Sequence, residues 1–145
     1  MKRRATATWQ GNGLEGKGSI STNNKFFDNT PYSAKTRFQN EDGKLGTNPE
    51  ELIAAAHAAC FNMQLSFMLA GAGFPAEMLT TDATVTIEQV GAGFEITNIA
   101  LDLKGKVPSM TSEKFNELAH AAKEHCPVSN ALRATPITLS VMFEG

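Results

Sequence analysis

Between Leu52 and Ala70 the chain carries no Asp, Glu, Lys or Arg. A run this long and this free of charge must be covered on most sides, by lipid or by protein. Its start is marked: Asn48 is a good N-cap, Pro49 suits the first helical position, and Glu51 completes a capping-box pattern. Glu50 and Glu51 also oppose the positive end of the helix dipole. Gly71-Ala72-Gly73 and Pro75 stop the helix. The run approaches membrane-spanning length. Yet it holds His57, Asn62, Gln64 and Ser66, is rich in alanine, and has no counterpart elsewhere in the chain. The expectation is a helix buried on nearly all sides within folded protein, with no membrane partner.

The rest of the chain reads as strands broken by a second helix. Thr6, Thr8 and Gln10 alternate with Ala5, Ala7 and Trp9, and Lys17–Thr22 and Ser33–Phe38 follow as further strands, which together suit an antiparallel meander. Gln39–Gly46 reads as a charged, glycine-containing loop. Ala83, Val85 and Ile87 alternate with polar residues, Gly91-Ala92-Gly93 predicts a hairpin turn, and Phe94–Val107 a long strand. Thr111 or Ser112 can cap a helix that places Phe115, Leu118, Ala119, Ala122 and Cys126 on one face, and Pro127 stops it. A short helical turn over Val128–Arg133 and a strand through Ile137, Leu139, Val141 and Phe143 complete the order. Strands, helix, strands, helix, strand is an α+β pattern, expected here as a single domain over residues 1–145. An amphipathic helix would satisfy a monomer. A central helix that is apolar all round predicts a homodimer built on two such helices.

Bulk properties narrow the function. The net charge of −2 argues against nucleic acid as the main partner. Basic Met1-Lys2-Arg3-Arg4 leads into Ala5-Thr6-Ala7-Thr8-Trp9-Gln10, not an apolar core. No secretory signal is expected, and the protein is expected to be cytoplasmic. The chain's two cysteines, Cys60 in the uncharged helix and Cys126 at a helix end, are then buried thiols, metal ligands or redox groups, not a disulfide framework.

Only a thiolate is a nucleophile, and burial without a cation disfavours it. The Cys60 helix holds no Lys or Arg, so Arg37, from a predicted strand, or His57, three residues away on the same helix face, are the candidate cations. Packing also explains Cys60 as a small buried residue, and explains Cys126, on an apolar face beside a proline, better still. A Cys2His2 metal set of Cys60, Cys126, His57 and His125 is disfavoured, because adjacent His125 and Cys126 point apart on a helix and no CxxC or HxxxH is present. P-loop, dinucleotide and serine-hydrolase motifs do not occur. Neither a metal nor another cofactor is expected.

Thr47-Asn48-Pro49-Glu50-Glu51-Leu52-Ile53-Ala54-Ala55-Ala56-His57-Ala58-Ala59-Cys60-Phe61 resembles the signature of the bacterial OsmC/Ohr proteins (osmotically inducible protein C and organic hydroperoxide resistance proteins). His125-Cys126-Pro127-Val128-Ser129 resembles their second cysteine motif, and Ala34-Lys35-Thr36-Arg37-Phe38 looks more like the OsmC branch. The resemblance implies antiparallel sheets wrapped around long central helices in an intertwined homodimer. It implies a metal-free thiol peroxidase acting on organic hydroperoxides and more weakly on hydrogen peroxide, in oxidative or osmotic stress. Cys60 would attack the peroxide and become a sulfenic acid, Cys126 would resolve it as a disulfide, and an external dithiol of lipoyl type would recycle it. Arg37 would stabilise the thiolate, and Glu50 would orient Arg37. Glu50 and Cys60 lie ten residues apart on one helix, about 15 Å at 1.5 Å per residue, so a composite site completed across the dimer is expected. The alternatives are an apolar ligand-binding protein with non-catalytic thiols, and a cysteine hydrolase using Cys60 and His57.

Overall fold

The computed structural model describes residues 1–40 and 44–145. The loop expected over Gln39–Gly46 therefore lies partly outside the described residues. The chain divides into two compact units, Met1–Leu52 and Ile53–Gly145.

In the first unit, β1 (Ala5–Gln10), β2 (Lys17–Thr22) and β3 (Thr30–Tyr32) form an antiparallel sheet in sequence order. The expected strand over Ser33–Phe38 is instead a short helix, α1 (Ala34–Phe38). The reason is local. Ser33 caps it by accepting from the Thr36 amide, while the Thr36 hydroxyl accepts from the Ser33 amide. This reciprocal capping turns the chain into a helix. Arg37 therefore projects from a helix, not from a strand end.

The long helix α2 (Pro49–Gly71) starts in the first unit and continues into the second. Asn48 Oδ1 accepts from the Glu51 amide at 2.8 Å, as a cap should. The Glu51 carboxylate is hydrogen-bonded by the Thr47 hydroxyl at 2.8 Å. At the far end, Phe74 N–H bonds Leu69 C=O and Gly73 N–H bonds Ala70 C=O, with Gly73 at φ 87°. That is a Schellman stop, and its left-handed residue favours glycine.

In the second unit, β4 (Met78–Val90) pairs antiparallel with β5 (Gly93–Lys106) through the two-residue turn Gly91-Ala92. Next come α3 (Ser112–His125), capped by Thr111, the short α4 (Pro127–Ala131), and β6 (Ile137–Glu144). β6 runs parallel to β5, so this sheet is mixed where antiparallel sheets were expected. Parallel neighbours need a crossover connection, and α3 with α4 supplies it.

The core of this unit joins Phe61, Leu65 and Leu69 of α2 to Ile99, Leu101 and Leu103 of β5 and Phe115, Ala119 and Ala122 of α3. Gly105 in β5 is required here, because a Cβ would collide with the Phe115 ring. By length and composition α2 could cross a membrane. Within this chain one face of it, His57-Phe61-Leu65-Leu69, is fully buried, and Asn62 accepts a 2.6 Å hydrogen bond from Thr81. The opposite face is not covered: Met63 and Phe67 are 60% and 69% exposed. The expectation of burial on nearly all sides is thus not met within one chain.

Candidate active site

Cys60 and Cys126 come together. Cys60 is half-buried on α2, one position before the buried stripe residue Phe61. Cys126 is fully buried at the joint where α3 ends and α4 begins. Its amide closes α3 by bonding Ala122 C=O at 2.8 Å, and Pro127 at the first position of α4 redirects the chain. Both are free thiols, and the Cys126 thiol donates to the Cys60 sulfur at 3.1 Å. A disulfide bond is about 2.05 Å long, so about 1 Å of closure would join them.

The Cys60 thiol is pushed above its ordinary value, chiefly by burial. The Val128 amide, which donates to the sulfur, pulls it down, and the neighbouring Cys126 raises it again. His57 supplies no compensating charge. Burial lowers its pKa, so it is neutral at neutral pH, which rules it out as the cation considered from sequence. Its Nε2 lies 2.7 Å from the Ser129 hydroxyl, while its buried Nδ1 has no hydrogen-bond partner among the described residues. Ser129 ends the second cysteine motif, but sequence reasoning assigns it no role. The available signal was its place one helical turn beyond Cys126.

In the first unit, Arg37 of α1 meets Glu50 of α2. Arg37 Nε lies 3.2 and 3.3 Å from the two carboxylate oxygens, and Nη2 lies 2.7 Å from Oε1. Glu50 is buried and Arg37 partly exposed, a forked geometry that fixes the guanidinium plane. The guanidinium also lies 5.1 Å from the Phe38 ring centre. One side of this pair opens on a cavity of about 150 Å³ lined by Trp9, Tyr32, Phe38 and Pro49 among others. Among the described residues, no three His, Cys, Asp or Glu side chains converge to hold a metal ion.

Residues 41–141 match the sequence profile of the OsmC-like protein family. The chain belongs to that family. It is 46% identical over 145 residues to Peroxiredoxin OsmC of Escherichia coli (strain K12), covering 100% of this chain and 99% of that one. It is 36% identical to the organic hydroperoxide resistance protein of Xanthomonas axonopodis pv. citri over 102 residues, 68% of this chain and 69% of the relative. Among solved structures it superposes on the organic hydroperoxide resistance protein OhrB of Bacillus subtilis. The TM-score is 0.70 at 26% identity, over 96% of this chain and 98% of that one. The α+β fold is that of the OsmC/Ohr proteins, as the sequence motifs imply.

Proposed function

We propose that the protein is a thiol-dependent, metal-free peroxidase that reduces organic hydroperoxides, and hydrogen peroxide more weakly, in a cytoplasmic stress response. The observation that carries this reading is the 3.1 Å approach of two free thiols in a chain whose relatives are a peroxiredoxin and organic hydroperoxide resistance proteins. The Cys60 thiolate attacks one peroxide oxygen. The O–O bond breaks, the alcohol leaves with a proton, and Cys60 becomes a sulfenic acid. The Cys126 sulfur then displaces that oxygen as water, and the S–S bond forms. A dithiol, of lipoyl type in this reading, returns both thiols by exchange.

Burial, and after it the neighbouring Cys126, raise the Cys60 thiol, so the thiolate needs a cation. Arg37, held flat by Glu50, is assigned that role. Because Glu50 and Cys60 stand ten positions apart on α2, the pair is assigned to the Cys60 of a second copy. The exposed stripe of Ala56, Ala59, Met63 and Phe67 on α2 supports a homodimer, since apolar side chains at this spacing form one continuous face. In this reading the two units constitute one OsmC-like domain.

The test is turnover of cumene hydroperoxide with dihydrolipoamide as reductant. Wild type consumes the peroxide and Cys60→Ser does not. Equal consumption by both would assign the thiols to packing and favour an apolar ligand-binding protein.

A further inference from the structure

Resting on that peroxidase reading, we propose that His57 and Ser129 form a buried latch that sets the alignment of the two thiols. The latch thereby controls whether the Cys60 sulfenic acid closes to a disulfide or is oxidised further. The two partners stand symmetrically about the chemistry. His57 lies three residues before Cys60 on α2, and Ser129 lies three residues after Cys126 in α4. Their 2.7 Å contact joins the segments that carry the two sulfurs. Both side chains are buried, His57 completely.

A histidine at this position needs a reason. It continues the apolar stripe of Phe61, Leu65 and Leu69, where a leucine would pack without burying a polar ring. The ring is moreover left with Nδ1 unpartnered among the described residues, which carries a desolvation cost that packing alone would not select. What histidine adds is a directional bond across to α4. α2 is also tied to β4, where Asn62 accepts from Thr81, and the thiols themselves touch, but His57–Ser129 is a directional bond from α2 to α4 that does not pass through the reacting sulfurs. Disulfide closure is directional, since it requires a narrow range of Cβ separations and S–S torsions. Residues at i and i+3 share a helix face, so holding His57 in register holds Cys60 in register as well. The latch is a positioning device: neither side chain is assigned contact with the peroxide.

The sulfenic acid has two competing fates. Attack by the Cys126 sulfur forms the S–S bond and releases water, at a rate independent of peroxide. Reaction with a second hydroperoxide transfers one more oxygen, releases a second alcohol and leaves a sulfinic acid. Misalignment slows only the first route, so it changes the partition between products, whatever the rate at which sulfenic acid is formed.

The experiment titrates wild type, Ser129→Ala and Ser129→Thr with cumene hydroperoxide and measures by mass spectrometry the fractions of Cys60 in disulfide and in sulfinic acid. Losing one buried hydrogen bond should lower the hydroperoxide concentration that gives half sulfinic acid by about fivefold in Ser129→Ala. Ser129→Thr, which keeps the hydroxyl, should restore the wild-type value. His57→Asn, whose amide is too short to span the gap, carries the same expectation as Ser129→Ala if that variant does not fold. Identical half-points in wild type and the latch variants, with disulfide formed in each, would overturn the latch and leave the peroxidase reading standing. Failure of wild type to form either product would overturn the peroxidase reading and the latch with it.

Discussion

Cys60 is under opposed influences within its own unit. Burial and the adjacent Cys126 hold it protonated, and one amide, from Val128, favours the thiolate. That balance is the wrong one for a nucleophile, which is why the forked Arg37–Glu50 pair matters to the proposed chemistry. His57 illustrates the same physics in a cation. Its folded pKa is depressed by burial, so between the ordinary value of about 6.5 and the lower folded value the unfolded chain binds more protons. Stability from keeping this ring neutral is therefore fully present above about pH 6.5 and lost as the pH falls below it. On going from about pH 7.5 to about pH 5.5, wild type should lose about 1 kcal/mol more stability than His57→Gln. Thermal melts at the two pH values check this, and equal losses would show that the ring accepts a proton in the folded state. At this scale the sequence made Cys60, Cys126, Arg37 and Glu50 visible through their motifs. Ser129 was legible only as a letter in one of them, because its partner His57 is 72 positions away and no local pattern links the two.

Individual elements follow their end signals closely. Asn48, Gly73, Thr111 and Pro127 sit where α2, α3 and α4 begin or end, alternation marked β4 and β6, and the hairpin turn at Gly91-Ala92 marked the start of β5. Three features escaped, the first being β3 (Thr30–Tyr32), which is too short to show a period. The helix α1 was concealed because Ser33-Ala34-Lys35-Thr36 fits period-two alternation as well as it fits a cap, and the Ser33–Thr36 reciprocal bonds decide between them. The parallel pairing of β6 was not visible because alternation gives a strand's faces and not its neighbour. The pairing also creates a tight place. Gly105 lies in the central strand β5, between Phe143 of β6 on one side and Leu79 of β4 on the other, and Phe115 of α3 occupies the space a side chain would need. Gly105→Ala should destabilise the fold by about 1–3 kcal/mol through overpacking. Chemical denaturation measures it, and a neutral substitution would mean that Phe115 can move aside.

For the whole molecule, the uncharged run that first demanded cover is only half covered in one chain. His57, Phe61, Leu65 and Leu69 are buried, while Met63 and Phe67 face outward. In the proposed homodimer, a second copy would lie on that stripe, remove the exposed apolar surface and bring Arg37 of each copy to Cys60 of the other. In a two-fold dimer the same residues are exchanged in both directions. Mixing two inactive variants, Cys60→Ser and Arg37→Met, then creates hybrid dimers with one intact site each. Unfolding and refolding the mixture should recover about a quarter of wild-type activity if subunits pair at random. No recovery would place Arg37 and Cys60 of the same chain in one site.

The claim on which the rest depends is that Cys60 is oxidised by a hydroperoxide and resolved by Cys126. Its most direct test is mass spectrometry of wild type and Cys126→Ser after one equivalent of cumene hydroperoxide. The proposed chemistry requires an intramolecular Cys60–Cys126 disulfide in wild type and a trappable sulfenic acid on Cys60 in the variant. Two intact thiols in wild type after that treatment would contradict it.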